Sequence, residues 1–204
     1  MSYLRGMLVL ASTSRYRREL LARLEVDFEA LAPDFDEAAE THRFAELGPE
    51  AFARSLARGK ARSLAPLRPQ AWILAADQIA VVDGELLHKP GTEEAAIAQL
   101  MRLRGRTHAL ITGVALLNAA TGELDERVDH QRLTMRRYSE AEAAAYIRAH
   151  RPLDCVGSYR IEDAGIRLFA AIEGQDFTGI IGLPLLAVGG LLRTRGLMPG
   201  DSPD

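Results

Sequence analysis

Apolar residues along the 204-residue chain fall into two rhythms, short unbroken runs and stripes at helical spacing. The unbroken runs predict strands over Met7–Ala11, Phe28–Leu31, Trp72–Ala76, Ile79–Val82 and Glu85–Leu87. The last two flank Asp83-Gly84, a favoured two-residue hairpin turn. Two longer strands are predicted over His108–Leu117 and Arg127–Tyr138, joined by a turn at Asn118–Gly122. Helical stripes lie between them. Leu20, Leu21 and Leu24 mark a helix over Arg18–Leu24 that Ser12, Thr13 or Ser14 can cap; Phe52, Leu56 and Leu64 mark one over Pro49–Leu64. Thr92–Leu103 carries its own cap, with Glu93 and Glu94 in the dipole-favoured first turn. Ser139 and Glu142 form a capping box that opens an Ala-rich helix through His150. The last helix begins at Leu183-Pro184 and ends in the order Arg193, Arg195, Gly196. Strands alternating with helices predict one α/β unit over 1–204, of two lobes around a cleft, with a frayed tail over about 197–204.

Composition agrees with that reading and narrows it. Hydrophobic residues make up 48% and charged residues 26%, ordinary values for a folded globular chain. A net charge of −3 gives no long-range attraction for nucleic acid or anionic lipid, so any site for a polyanion must be local. The single cysteine, Cys155, has no partner for an intrachain disulfide and reads as a small buried residue in a cytoplasmic protein. Met1–Leu10 offers only Met-Leu-Val-Leu as an apolar core, too short for a signal peptide. Gly179–Leu192 is the most apolar stretch, but it is broken by Gly182, Pro184, Gly189 and Gly190 and falls short of the roughly 18 residues that span a bilayer. No membrane anchor is expected.

The chain contains no P-loop, GxGxxG, HExxH, CxxC or GxSxG signature, and its five histidines, His42, His88, His108, His130 and His150, have no ligand spacing. What remains is charge placed where strands end, which is where open α/β sheets bind ligands. Ser12–Arg18 puts two serines and three arginines at the entrance to a helix, where N–H groups, hydroxyls and guanidinium forks suit a phosphate chain. The same residues can also simply cap the helix and sit in solvent. Asp77 follows a buried apolar run, where a carboxylate needs a role or a partner; a base, a metal ligand and a turn aspartate are all open. Asp36-Glu37 in the acidic loop can hold Mg²⁺ with help from substrate phosphate, or be solvated. Lys60 and Lys89 stand out because the chain has only two lysines against 23 arginines. A compact ammonium beside phosphate is one use for them and a plain surface charge the other.

Taken in order, these residues resemble the Maf family of nucleoside triphosphate pyrophosphatases from Leu8 to about Arg195. The matching blocks are Leu8–Leu21, the Asp36-Glu37 pair, Lys60, Ala75–Pro90, Ile111–Leu116, Gly157–Gly165 and Ile172–Leu185. Asp77 followed by Gln78, with Glu162, is similar to the subgroup acting on 7-methyl-GTP. The resemblance implies a mixed twisted sheet with flanking helices around a central cleft, a homodimer, and cleavage between the α and β phosphates. It implies Asp77 as proton acceptor, and Glu37 beside it holding water or a divalent cation, Mg²⁺ or Mn²⁺. It implies Arg17, Arg18, Lys60 and Lys89 as the basic groups on the triphosphate, Ser12 and Ser14 on the phosphate-binding turn, and Tyr16, Gln78 and Glu162 as the residues that set base choice. Arg15, Ala75-Ala76, His88 and Gly179 depart from the family's more usual Pro, Gly-Ser, Gly and Asn.

The specificity set has a chemical logic. N7-methylation makes the guanine ring cationic, so the face of Tyr16 gains a cation–π attraction of roughly 0.5 to 2 kcal/mol that GTP lacks. A carboxylate at Glu162 would accept from guanine N1–H and the 2-amino group, and a site of that kind rejects a poorly matched base strongly. The expected protein is thus a cytoplasmic hydrolase that clears modified nucleotides. The alternatives are a UTP- or dTTP-preferring relative and a nucleotide-binding regulator of septum formation.

Overall fold

The computed structural model describes residues 7–200. Seven strands, β1 (Leu8–Ala11), β2 (Phe28–Leu31), β3 (Trp72–Val82), β4 (Glu85–Leu87), β5 (Thr107–Asn118), β6 (Leu124–Met135) and β7 (Phe169–Gly174), form an open mixed sheet in the order β2-β1-β3-β5-β6-β7, with β4 on β3. Six helices accompany them: α1 (Arg15–Ala22), α2 (Phe44–Leu64), α3 (Glu93–Leu103), α4 (Glu140–His150), α5 (Thr178–Ile181) and α6 (Leu185–Thr194). β1 runs parallel to both β2 and β3, whereas β4 and β7 pair antiparallel. The chain divides into two compact units, and β3, β5 and β6 each contribute to both.

The first unit comprises the described residues up to Gln78 with 112–129 and those from 176 onward. Period-two alternation sorts its strand residues onto two faces. Val9, Ala11, Ile73, Ala75, Ala115 and Leu117 pack with Ala57, Ala61 and Leu64 of α2. Leu8, Leu10, Leu74, Ala76, Val114 and Leu116 pack with Leu20 and Leu21 of α1 and Val188, Leu191 and Leu192 of α6. Each large aliphatic residue buried in this way contributes about 1.5 to 3 kcal/mol. Small residues let α2 lie close to the sheet, most sharply at Gly113, where a Cβ would collide with the backbone of Ala53. α2 is broken at Gly48, whose φ of 71° no other residue adopts cheaply, and it restarts at Pro49, where the fixed proline φ suits a first turn.

The second unit comprises 79–111 and 130–175. α3 starts with the Thr92 side chain accepting from Ala95 N–H, and α4 with the complete Ser139/Glu142 capping box. Between them, Tyr138 donates to the carbonyl of Leu100 at 2.7 Å, and the buried His108 and Tyr159 group with the half-buried Phe169.

The periodic strands and helices lie close to where the pattern places them, α1 and β6 each beginning three residues earlier and α2 five residues earlier than expected, with three larger differences. Trp72–Ala76 and Ile79–Val82 are one strand, so Asp77 lies in its middle and not at its carboxyl end. Asp77-Gln78 does not break the run because the apolar positions resume at once in the same phase. β7 and α5 escape a hydrophobicity reading because β7 is half exposed and α5 is only four residues long. Of the expected frayed tail, Leu197 lies in the core with Met198 packed against it, and residues 201–204 lie outside the described residues.

Candidate active site

β3 carries the centre of the site, and the alternation that builds the core also distributes the chemistry. Asp77 shares its face with Ile73 and Ala75, the face covered by α2. Lys60, one residue before the buried Ala61 of α2, therefore reaches it, and the Lys60 ammonium donates to the Asp77 carboxylate. The same ammonium lies 2.6 Å from Glu37 Oε1. Lys60 and Asp77 are only 6% and 4% exposed at the side chain, and Glu37 is 39% exposed, so the cluster runs from the core to the surface. Burial raises the pKa of Asp77 above that of an ordinary aspartate, and the charge of Glu37 adds to this; the charges of Lys60 and Arg17 offset part of it.

The loop that brings Glu37 in is held at two points. Asp36 Oδ1 accepts from Ala38 N–H at 3.0 Å, an Asx-type turn. Next to it the Phe35 ring lies against α2 at Gly59, where a Cβ would penetrate the ring. Gly59, the residue before Lys60, thus leaves the space in which the Phe35 ring seats.

The Ser12–Arg18 segment leaves β1 beside this point. β1 and β3 are parallel with Leu10 opposite Leu74, so the turn after Ala11 emerges at the level of Ala76 and Asp77. Ser12 Oγ accepts from Ser14 N–H at 3.1 Å, and Ser14 caps α1 by accepting from Arg17 N–H at 3.4 Å. Ser14 therefore does the capping work that the sequence left open, and Ser12 holds the turn that leads into it. Tyr16 and Arg17 are half-buried in the first turn of α1, and Arg18 is exposed.

Gln78, one residue on from Asp77, faces the opposite side, toward α1 and α6. Its Nε2 donates to Thr112 Oγ1 at 3.1 Å and to the carbonyl of Gly179 at 2.6 Å. Arg17 Nε donates to the carbonyl of Gly182 at 2.9 Å. A single segment, 176–184, which includes α5, thus orients both side chains. Asp176 fastens that segment by accepting from Thr178 N–H at 2.9 Å, Thr178 Oγ1 at 2.5 Å and Leu186 N–H at 2.7 Å. Thr112, Phe35, Gly59, Asp176 and the Gly179 and Gly182 carbonyls were not among the candidates; the one sequence signal was Thr112, a polar residue inside an apolar strand.

Two expected site residues belong to the second unit. Lys89 is exposed in the loop after β4. Glu162 is exposed in the turn after Ile161, and partial desolvation raises its carboxyl pKa, with Asp163 adding to the effect. Cys155 is half-buried and its Sγ accepts from Arg160 Nε at 3.2 Å, while burial pushes its thiol up to about 11. It is inert by that measure.

Asp77 and Glu37 converge on one cation, the Lys60 ammonium. Among the described residues no group of three or more His, Cys, Asp or Glu could hold a metal ion. Two carboxylates are what a Mg²⁺-like cation takes from a protein when phosphate and water complete its shell.

The profile of the Maf-like protein family matches residues 7–195. The 7-methyl-GTP pyrophosphatase of Pseudomonas aeruginosa is 42% identical over 190 residues, covering 93% of this chain and 97% of that protein. The protein of the same name from Aromatoleum aromaticum is 44% identical over 191 residues, covering 94% and 96%, and that from Cupriavidus metallidurans is 42% identical over 192 residues, covering 94% of each.

Proposed function

Since this chain belongs to the Maf family, a nucleotide pyrophosphatase and thus a hydrolase, we propose that it converts 7-methyl-GTP to 7-methyl-GMP and pyrophosphate, removing a modified nucleotide from the pool. The observation that carries this reading is the buried Asp77, joined through Lys60 to Glu37 and level with the serine turn. A carboxylate is desolvated there only to little purpose unless it works as a base or binds a cation.

Asp77 accepts the proton of the water that attacks the α-phosphorus. Its pKa, raised chiefly by burial, makes it a stronger base than an exposed aspartate. Glu37, at the exposed side of the cluster, orients that water. Lys60 holds the two carboxylates together in the free enzyme and offers its charge to the phosphates when they arrive. Arg17, anchored by Nε, keeps its terminal nitrogens for the triphosphate, and Arg18 and Lys89 add positive charge. N–H groups of the Ser12–Ser14 turn take phosphate oxygens. A divalent cation, Mg²⁺ or Mn²⁺, bound by Asp77 and Glu37 would neutralise charge on the triphosphate as it is cleaved. Tyr16 stacks on the cationic base, Gln78 reads it, and Glu162 accepts from its N1–H and 2-amino group.

The enzyme works in the cytoplasm as a homodimer and has no nucleic-acid partner. The lone cysteine supports the compartment and the net charge of −3 the lack of a nucleic-acid partner, and no helix among the described residues is long and apolar enough to cross a membrane. The test is pyrophosphate release with Mg²⁺ or Mn²⁺ across 7-methyl-GTP, GTP, UTP, dTTP and ITP, with 7-methyl-GMP identified as the co-product. Preference for UTP and dTTP would overturn the base assignment, and release from none would favour a regulator that binds nucleotide without cleaving it. Glu162→Gln should weaken purine discrimination; unchanged selectivity would remove Glu162 from the base site.

A further inference from the structure

The side-chain amide of Gln78 is oriented by two acceptors on different parts of the fold. The Gly179 carbonyl can only accept, so the nitrogen of the amide must face it. Thr112 Oγ1, on β5 and wholly buried, takes the second amide proton. Both Nε2 donors are then spent, and Oε1 accepts from no described residue. A Cβ added at Gly182 would stand 4.0 Å from Gln78 Oε1 and 3.7 Å from Arg17 Nη2, so the amide oxygen and the guanidinium open onto the same small space.

We propose that Thr112 is a positioning residue for base selection: by taking the second amide proton of Gln78 it commits that side chain to act as an acceptor, selecting bases that present N–H donors. This rests on the reading that Gln78 takes part in base choice. With the Thr112 hydroxyl removed, one amide proton is released and the group can turn to meet carbonyl oxygens, which the uracil edge presents on both sides of its single N–H. A guanine edge, with two adjacent donors, loses its advantage.

The experiment compares kcat/KM for 7-methyl-GTP and UTP in the full-length protein and in Thr112→Val, Thr112→Ser and Gln78→Leu. Thr112→Val keeps the shape and removes the acceptor; Thr112→Ser keeps the acceptor and opens only a methyl-sized gap. The ratio of the two substrates should fall about tenfold in Thr112→Val and stay within about twofold in Thr112→Ser, chiefly through KM for 7-methyl-GTP. A purely structural role would lower kcat for both substrates alike and move both threonine variants together, and that result overturns the proposal. If Gln78→Leu loses the ratio while a folded Thr112→Val retains it, Thr112 has no part in selection. If neither changes the ratio, the base-choice role of Gln78 itself fails, and the proposal with it.

Discussion

Removing the Lys60 charge while keeping its length, as in Lys60→Met, isolates what the buried ammonium does. Lys60 and Asp77 are 6% and 4% exposed at the side chain, so neither is screened by water, and Glu37 lies on the same ammonium. Breaking a buried pair by deleting one partner costs about 3 to 5 kcal/mol because the other charge is stranded. For a chain of 204 residues that corresponds to a fall in Tm of about 6 to 20 °C. The cost depends on pH. Asp77 already has a folded-state pKa above its unfolded value of 3.8, and the variant loses the largest influence opposing that shift. An acid raised in this way stabilises the folded state below its unfolded pKa, and that contribution is lost as pH rises through the folded pKa. Lys60→Met should therefore be most damaging at pH 8 and recover stability as the solution is acidified toward the range in which Asp77 protonates. The double variant Lys60→Met/Asp77→Asn strands no charge in the core and should be more stable than Lys60→Met alone at pH 8, with a coupling energy of about 2 to 3 kcal/mol. The assay is a double-mutant cycle by thermal and urea unfolding at pH 8 and pH 5, followed by far-UV circular dichroism and tryptophan fluorescence. A cost below about 1 kcal/mol for Lys60→Met, or strict additivity in the double variant, would refute the reasoning.

Gly59→Ala forces the Phe35 ring off α2 and with it the loop that carries Glu37. Overpacking should cost about 1 to 3 kcal/mol in urea unfolding with helix content preserved, and the displaced loop should lower kcat/KM, read by circular dichroism and pyrophosphate release. Gly182→Ala places a side chain at φ 110°, next to Arg17 and Gln78, and should cost about 1 to 2 kcal/mol in urea unfolding and raise KM. His108 is buried with its Nδ1 unpartnered among the described residues, and desolvation lowers its pKa to about 4. A base depressed in this way stabilises the fold above pH 6.5, and that contribution is lost as pH falls toward 4. It amounts to about 3 kcal/mol, which His108→Phe should remove from the pH dependence of unfolding.

Much of this site can be read from residue order alone, and the remainder depends on tertiary placement. The charged positions stand out because Lys60 is one of only two lysines and Asp77 interrupts an apolar run. Their contact follows from two periods meeting: the alternation of β3 turns Asp77 toward α2, and the helical stripe of α2 brings Lys60 back onto the same face. Gln78 escapes such a reading because its partners come from β5 and a segment about a hundred residues away, and one of them is a backbone carbonyl that has no residue signature. Phe35 and Gly59 are equally silent, since an aromatic in a loop and a glycine in a helix gain meaning only when they touch. The continuous course of β3 is hidden in the sequence because a buried acid and amide resemble a strand end, although the apolar phase runs through them unbroken.

The most direct test of the account is pyrophosphate release from 7-methyl-GTP by the intact protein and by Asp77→Asn, which is close in shape and removes the carboxylate charge on which the base depends. The account predicts stoichiometric pyrophosphate and 7-methyl-GMP from the former and a loss of at least about 100-fold in the folded variant. Undiminished release by Asp77→Asn would contradict it.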